Sequence, residues 1–200
     1  MTAILLLCTA NRCRSVMAQA MLAAQLNARS GSAPVRVASA GLLDGGQRPP
    51  TEVVSVMAAR GIDVAGHRSR RVTADDLAVA DLVLGLTREH VRHAAVLLPE
   101  SWSRAFTLRE LPRRGRQAGA RAPGESLGDW LVRAVGARSR RDLFGTSPGD
   151  DVPDPHGGPL AGYQATASLL DGLARELVAL CWPSEWVAAS VSRIRSGQRS

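Results

Sequence analysis

Cys8 is followed, after five residues, by Arg14 and Ser15. A cysteine thiolate is a strong nucleophile, and a guanidinium can grip two oxygens of one phosphate at once. Together they fit attack by sulfur on a phosphoryl group held in place. Spacing alone does not carry this reading. A cysteine at the end of an apolar run is ordinarily a small buried residue, and the pattern gains meaning only if the right elements flank it.

The flanking elements are the right ones. Ala3-Ile4-Leu5-Leu6-Leu7 is a continuous apolar run, as expected of a strand buried on both faces of a parallel sheet. Val16 to Arg29 has helical composition, with Val16, Met17, Met21 and Ala24 along one side. The loop between them therefore enters a helix N-terminus, where unpaired N–H groups and partial positive charge make a phosphate cradle and favour a thiolate. Cys8, Thr9, Ala10, Asn11, Arg12, Cys13, Arg14 and Ser15 are the candidate phosphate-binding loop.

Further along, Val35 to Ser39, Asp81 to Leu86 and Ser103 to Leu108 read as strands, the first closed by Ala40-Gly41. Helices are expected from Thr51 to Arg60 with Gly61 as C-cap, near Ala74 to Leu77, after Thr87 as N-cap to about Leu97, and from Leu160 to Leu180. This alternation implies an α/β fold with three layers, a four-stranded parallel sheet between helices. The chain reads as a single domain over residues 1–200. An Arg/Gly/Pro-rich insertion is expected at about 112–150, with a helical stretch from Ser126 to about Arg138, and a flexible tail after about residue 190.

The chain has 200 residues, a formal charge of +7 and 45% hydrophobic residues, the balance of an ordinary globular domain. All 25 basic residues are Arg, and the positive balance favours anionic partners. Aromatics are 4%, too few for the basic–aromatic interleaving of a nucleic-acid surface. The opening apolar run is too short for a membrane span or signal sequence, so a cytoplasmic location is expected, with no membrane or nucleic-acid partner. The three cysteines, Cys8, Cys13 and Cys181, are an odd set without a secretion signal, which argues against a disulfide scaffold.

The loop Cys8-Thr9-Ala10-Asn11-Arg12-Cys13-Arg14-Ser15 resembles the phosphate loop of low-molecular-weight protein-tyrosine phosphatases. Val16-Met17-Ala18-Gln19 is similar to that family's Pro-Met-Ala-Glu, and Ser39-Ala40-Gly41 to its Ser-Ala-Gly. Gly61-Ile62, His67-Arg68-Ser69, Ala80 to Leu84 and Asp154-Pro155 resemble later family segments in the same order. The resemblance implies a phosphocysteine intermediate on Cys8, phosphoryl oxygens on Arg14, and a hydrogen bond from Ser15 to the Cys8 sulfur. It implies that Asn11 and Ser39 pair to hold the loop, that His67 supports them, and that Asp154 is general acid and then base. Cys13 is a candidate redox partner for Cys8. No metal and no cofactor is implied. The substrate would be a phosphorylated protein, phosphotyrosine first, or a phosphorylated small molecule. The oligomeric state is left open.

The chain also departs from the family pattern. Ala10 stands where glycine is usual, which raises a strain question if φ is positive there. Arg12 puts a cation at the substrate entrance and argues against phosphoarginine. The Gly41 to Gly46 segment and the residues after Asp154-Pro155 lack cleft aromatics. Two other readings remain: a phosphoprotein- or anion-binding protein without turnover, and an arsenate reductase, which would need resolving cysteines that residues 81–97 do not contain.

Overall fold

A strand with no polar side chain between its ends has no face to offer water, and Ala3 to Leu7 is duly central. The computed structural model describes residues 1–29, 34–136 and 138–183. The four strands are β1 (Thr2–Cys8), β2 (Val35–Gly41), β3 (Leu82–Gly85) and β4 (Ala105–Thr107). They form one parallel sheet in the order β2-β1-β3-β4. β1 alternates between two cores. Ile4, Leu6 and Cys8 face one layer, with α1 (Arg14–Asn27), α2 (Thr51–Ala58) and α7 (Leu160–Cys181). Leu5 and Leu7 face the other, with α3 (Ala74–Ala78) and α4 (Arg88–Leu97). The expected three-layer architecture is present.

Because all strands run the same way, their C-terminal ends lie along one edge. Cys8 pairs across to Gly41, and Leu7 to Gly85. β1 is also where the chain changes direction across the sheet, the place where crevices open in wound parallel sheets. The loop after β1 is thus sited by topology before any of its side chains is considered.

The expected elements appear with shifts of a few residues at their ends, and Gly61 takes the left-handed backbone (φ +72°) that ends α2. One helix was not read from the sequence. α5 runs Glu110–Ala118 through Pro112. The proline lies in the first turn, where its missing N–H had no partner to lose. α6 (Leu127–Val135) occupies most of the expected 126–138 stretch. Both helices are part of the core. Trp130 is fully buried, and its indole Nε1 donates to the Gly119 carbonyl (3.0 Å). Gly115 makes that packing fit, since a Cβ there would lie 2.9 Å from Trp130 Cζ2. Farther on, Arg138 stacks over Trp102 and Phe106 (4.0 and 4.4 Å) and pairs with buried Glu110 at 2.9 Å. Within the stretch expected as an insertion at about 112–150, Gly115, Trp130 and Arg138 thus pack against α7 and β4. The expected tail after residue 190 lies outside the described residues. No helix among the described residues is long and apolar enough to cross a membrane.

Removing the Trp130 side chain opens a large cavity where α5, α6 and α7 meet. Trp130→Ala is expected to lose about 3–5 kcal/mol of stability in urea unfolding; a loss below ~1 kcal/mol would mean α6 covers the core without belonging to it.

Candidate active site

The loop after Cys8 is built around Asn11. Among the described residues it is the one non-glycine with positive φ (+51°), a conformation that asparagine tolerates better than most. Five hydrogen bonds hold it there. Its Nδ2 donates to Ser39 Oγ (2.8 Å) and Ser15 Oγ (3.0 Å). Its Oδ1 accepts from the Arg70 N–H (3.0 Å), and its carbonyl accepts from His67 Nε2 (2.9 Å). Its own N–H points at Cys8 Sγ (3.2 Å). Burial pushes the His67 pKa down, which suits a neutral ring donating one N–H. Ser39 Oγ in turn donates to Gln19 Oε1 (2.5 Å).

Gly41 gives this loop its room. A Cβ there would lie 2.8 Å from the Asn11 nitrogen and 2.9 Å from Thr9 O and Ala10 C. The Leu42 and Leu43 N–H groups both donate to the Thr9 carbonyl (2.7 and 3.1 Å). Ala10, the residue in place of glycine, does not have positive φ, so its methyl raises no backbone strain.

Cys8 is buried at the end of β1, and its sulfur lies 3.0 Å from Ser15 Oγ as well as facing the Asn11 N–H. Arg14 opens α1 with its side chain only 7% exposed. Its Nη1 donates to the Val152 carbonyl (3.3 Å), and its Nη2 meets Asp154 Oδ2 at 2.5 Å. Cys13 is buried against the same loop. Desolvation, then the charges of Asp154 and Cys8, push its thiol up to about 12.

Sequence alone could not separate Asp154 from Asp150 and Asp151, and the structure does. Asp150 is buried and paired with Arg88 (2.7 Å) and Arg113 (2.8 Å). Burial raises its pKa, but the two guanidiniums outweigh it and hold the carboxyl below its usual range. Asp151 accepts the N–H groups of Arg88 (2.7 Å) and Ser147 (3.1 Å). Both are committed to scaffolding. The Val152 N–H donates to the Leu86 carbonyl just past β3 (2.7 Å), which brings Asp154 over the loop with its carboxylate 45% exposed.

Cys8, Asn11, Ser15, Ser39 and His67 therefore form one hydrogen-bonded group and Thr9, Arg14 and Asp154 another, and the two make one network through the chain itself, where Arg14 adjoins Ser15. Arg12 points outward, and its Nε donates to the Arg48 carbonyl (2.9 Å). Cys181 is buried at the end of α7, with its pKa raised by desolvation. Sequence reading missed two members of the network, Gln19 and His90. Gln19 lies one helical turn beyond Ser15, and its only signal was its place in the segment that resembles Pro-Met-Ala-Glu. His90 Nε2 shares a hydrogen bond with Thr9 Oγ1 (3.1 Å), and the residue gave no signal beyond its place three residues after the Thr87 cap.

Comparison with known proteins fits this geometry. Residues 3–123 match the family model described as low molecular weight phosphotyrosine protein phosphatase. A probable low molecular weight protein-tyrosine-phosphatase, EpsP of Ralstonia solanacearum, is 36% identical over 110 residues, covering 54% of this chain and 71% of the relative. A protein-arginine-phosphatase of Geobacillus stearothermophilus is 28% identical over 180 residues, covering 87% of this chain and 95% of the relative. The crystal structure of the low molecular weight protein tyrosine phosphatase from T. tengcongensis superposes with a TM-score of 0.66 at 29% identity, covering 89% of this chain and 98% of that one. With Cys8 and Arg14 both inside the matched segment, the chain belongs to the low molecular weight phosphotyrosine protein phosphatase family and is a hydrolase of phosphate monoesters.

Proposed function

We propose that this phosphatase dephosphorylates protein phosphotyrosine, with Cys8 as nucleophile, Arg14 as phosphoryl clamp and Asp154 as proton donor. The observation that carries the reading is that two adjacent residues at the start of α1 reach the two reacting groups: Ser15 Oγ lies 3.0 Å from Cys8 Sγ, and the Arg14 guanidinium holds the Asp154 carboxylate at 2.5 Å. A dianionic phosphoryl group brings more charge to Arg14 than a single carboxylate, so it takes the guanidinium from Asp154. The freed carboxylate takes up a proton from solvent and stands, now as the acid, beside the leaving oxygen. The Cys8 thiolate attacks phosphorus, the P–O ester bond breaks, and the leaving oxygen takes its proton from Asp154. Water then attacks the phosphocysteine, Asp154 takes the water's proton, and the S–P bond breaks to restore the thiolate. Arg14 and the loop N–H groups hold the equatorial oxygens throughout.

Tyrosine is favoured over arginine because the family match and relatives such as EpsP carry phosphotyrosine names. Arg12 adds a second argument, since a cation at the loop repels a cationic guanidino substrate. A cytoplasmic location remains part of this proposal. A redox role for Cys13 has weaker support, because a thiol at about 12 is a poor attacking thiolate near neutral pH.

Cys8→Ser is expected to abolish hydrolysis of para-nitrophenyl phosphate while leaving the fold intact by circular dichroism; wild-type turnover no greater than that of the variant would end the catalytic reading in favour of a binding protein. For Asp154→Asn, kcat falls by about 10²–10⁴ on phenyl phosphate and by less on para-nitrophenyl phosphate, whose leaving oxygen needs its proton least. Equal losses on both esters would remove Asp154 from the proton-donor role. Arg12→Ile should cost about 2- to 5-fold in kcat/KM for phosphotyrosine peptides with acidic flanks, and nothing for neutral ones. In the same panel, faster turnover of phosphoarginine than phosphotyrosine peptides by the wild type would overturn the substrate class.

A further inference from the structure

His90 is a buried titratable group for which the reaction above has no use. It lies in the first turn of α4, 1% exposed, beneath the phosphate loop. Its two ring nitrogens have fixed duties. Nδ1 faces both the Thr87 hydroxyl (2.8 Å), which can donate or accept, and the Thr87 backbone N–H (2.9 Å), which can only donate. Nδ1 is therefore the acceptor, and in the neutral ring Nε2 carries the proton. That proton is donated to Thr9 Oγ1 at 3.1 Å. Burial, followed by the charge of Arg14, pushes the ring down to about 3, which fits a neutral imidazole.

Thr9 Oγ1 receives a second N–H from Arg14 Nη2 (3.4 Å). A hydroxyl oxygen has two acceptor sites and one proton. With both acceptor sites facing obligate donors, the Thr9 proton is left to donate. No described group accepts from it. The Arg14 nitrogen that contacts Thr9 is also the one that holds the Asp154 carboxylate at 2.5 Å. An anion on that nitrogen therefore lies beside the Thr9 hydroxyl.

We infer that His90 is a positioning residue of the phosphate loop, which fixes the Thr9 hydroxyl so that its proton is presented to the anion gripped by Arg14. A second feature points the same way. β3 ends in Gly85, where a Cβ would lie 2.8 Å from Val91 Cγ2, 2.9 Å from the Thr87 carbonyl and 3.0 Å from His90 Cβ. The close approach of the α4 first turn to the strand end depends on that missing side chain. Capping of α4 accounts for Nδ1 alone. The donation from Nε2 to Thr9 belongs to the loop.

The inference rests on the phosphatase reading, and its test separates the two. The probe is inorganic phosphate as a competitive inhibitor of para-nitrophenyl phosphate hydrolysis, with kcat/KM and the thermal midpoint measured alongside. Thr9→Val and His90→Leu are each expected to weaken phosphate inhibition about tenfold, the worth of one hydrogen bond to a charged group. The double variant should lose no more than either single one, because His90 acts through Thr9. His90→Gln, whose amide can accept from Thr87 and donate to Thr9, should recover most of the loss. Losses that add in full, or a His90→Leu variant with a lower midpoint and unchanged phosphate inhibition, would reduce His90 to a helix cap. Thr9→Val leaves the α4 cap alone and decides the matter even if His90→Leu does not fold: unchanged inhibition overturns the inference. Were the phosphatase reading itself wrong, Cys8→Ser would match the wild type in turnover, while calorimetric phosphate binding would still report the coupling of Thr9 and His90.

Discussion

Asn11 is the constraint on which the site depends. A buried asparagine with a left-handed backbone is unfavourable unless every polar atom it carries has a partner. Here the partners come from β2 through Ser39, from α1 through Ser15, from the 67–70 segment through His67 and Arg70, and from the nucleophile itself. One residue thus couples the two ends of its own loop to two distant stretches of chain, β2 and the 67–70 segment. The same backbone twist aims an N–H at Cys8. Any residue that could not both adopt that φ and satisfy those bonds would lose the shape of the loop together with its electrostatics. The absence of a side chain at Gly41 is the complementary condition, for the strand beside the loop must leave it room.

A second set of charges does the corresponding work for Asp154. Asp150 and Asp151 bind Arg88 and Arg113 and the start of α4, and the Val152 N–H fastens the segment beyond β3. Arg109 adds bonds to the carbonyls of Pro148 (2.8 Å) and Asp151 (3.1 Å). Arg109 and Arg113 are thus consumed in holding the acid loop, while Arg114 binds Glu110, Asp142 and the Val135 carbonyl. Charge that looked available to external partners is partly spent inside the molecule.

What could be read from the sequence follows from the range of each signal. The apolar run before Cys8, the loop and the helix behind it are local, so strand, loop and helix were visible at once. Four strands alternating with helices implied the parallel sheet. Ser39, His67 and Asp154 were found only through resemblance, because no local rule brings residues so far from Cys8 to its side. α5 was missed because Pro112 reads as a stop, although a first-turn proline is compatible with a helix. The burial of Trp130 against Gly115 could not be read from either residue alone. His90 was hidden for the same reason: its ring serves a helix cap through one nitrogen and the loop through the other, and only the fold brings Thr9 within reach.

The contact between Arg14 and Asp154 has a consequence for which ions the site admits. A carboxylate tethered two residues from a fixed backbone anchor acts as an intramolecular competitor at high effective concentration. Singly charged ions of the medium meet a guanidinium that is already matched, and gain little by exchange. A dianion gains more, and entry becomes a contest decided by charge. When the product leaves, the same tethered group is at hand to reclaim the guanidinium, so turnover includes a built-in displacement step. Selectivity against the common anions of the cell and release of phosphate would then have a single origin, in the fact that the acid and the clamp are each other's resting partners.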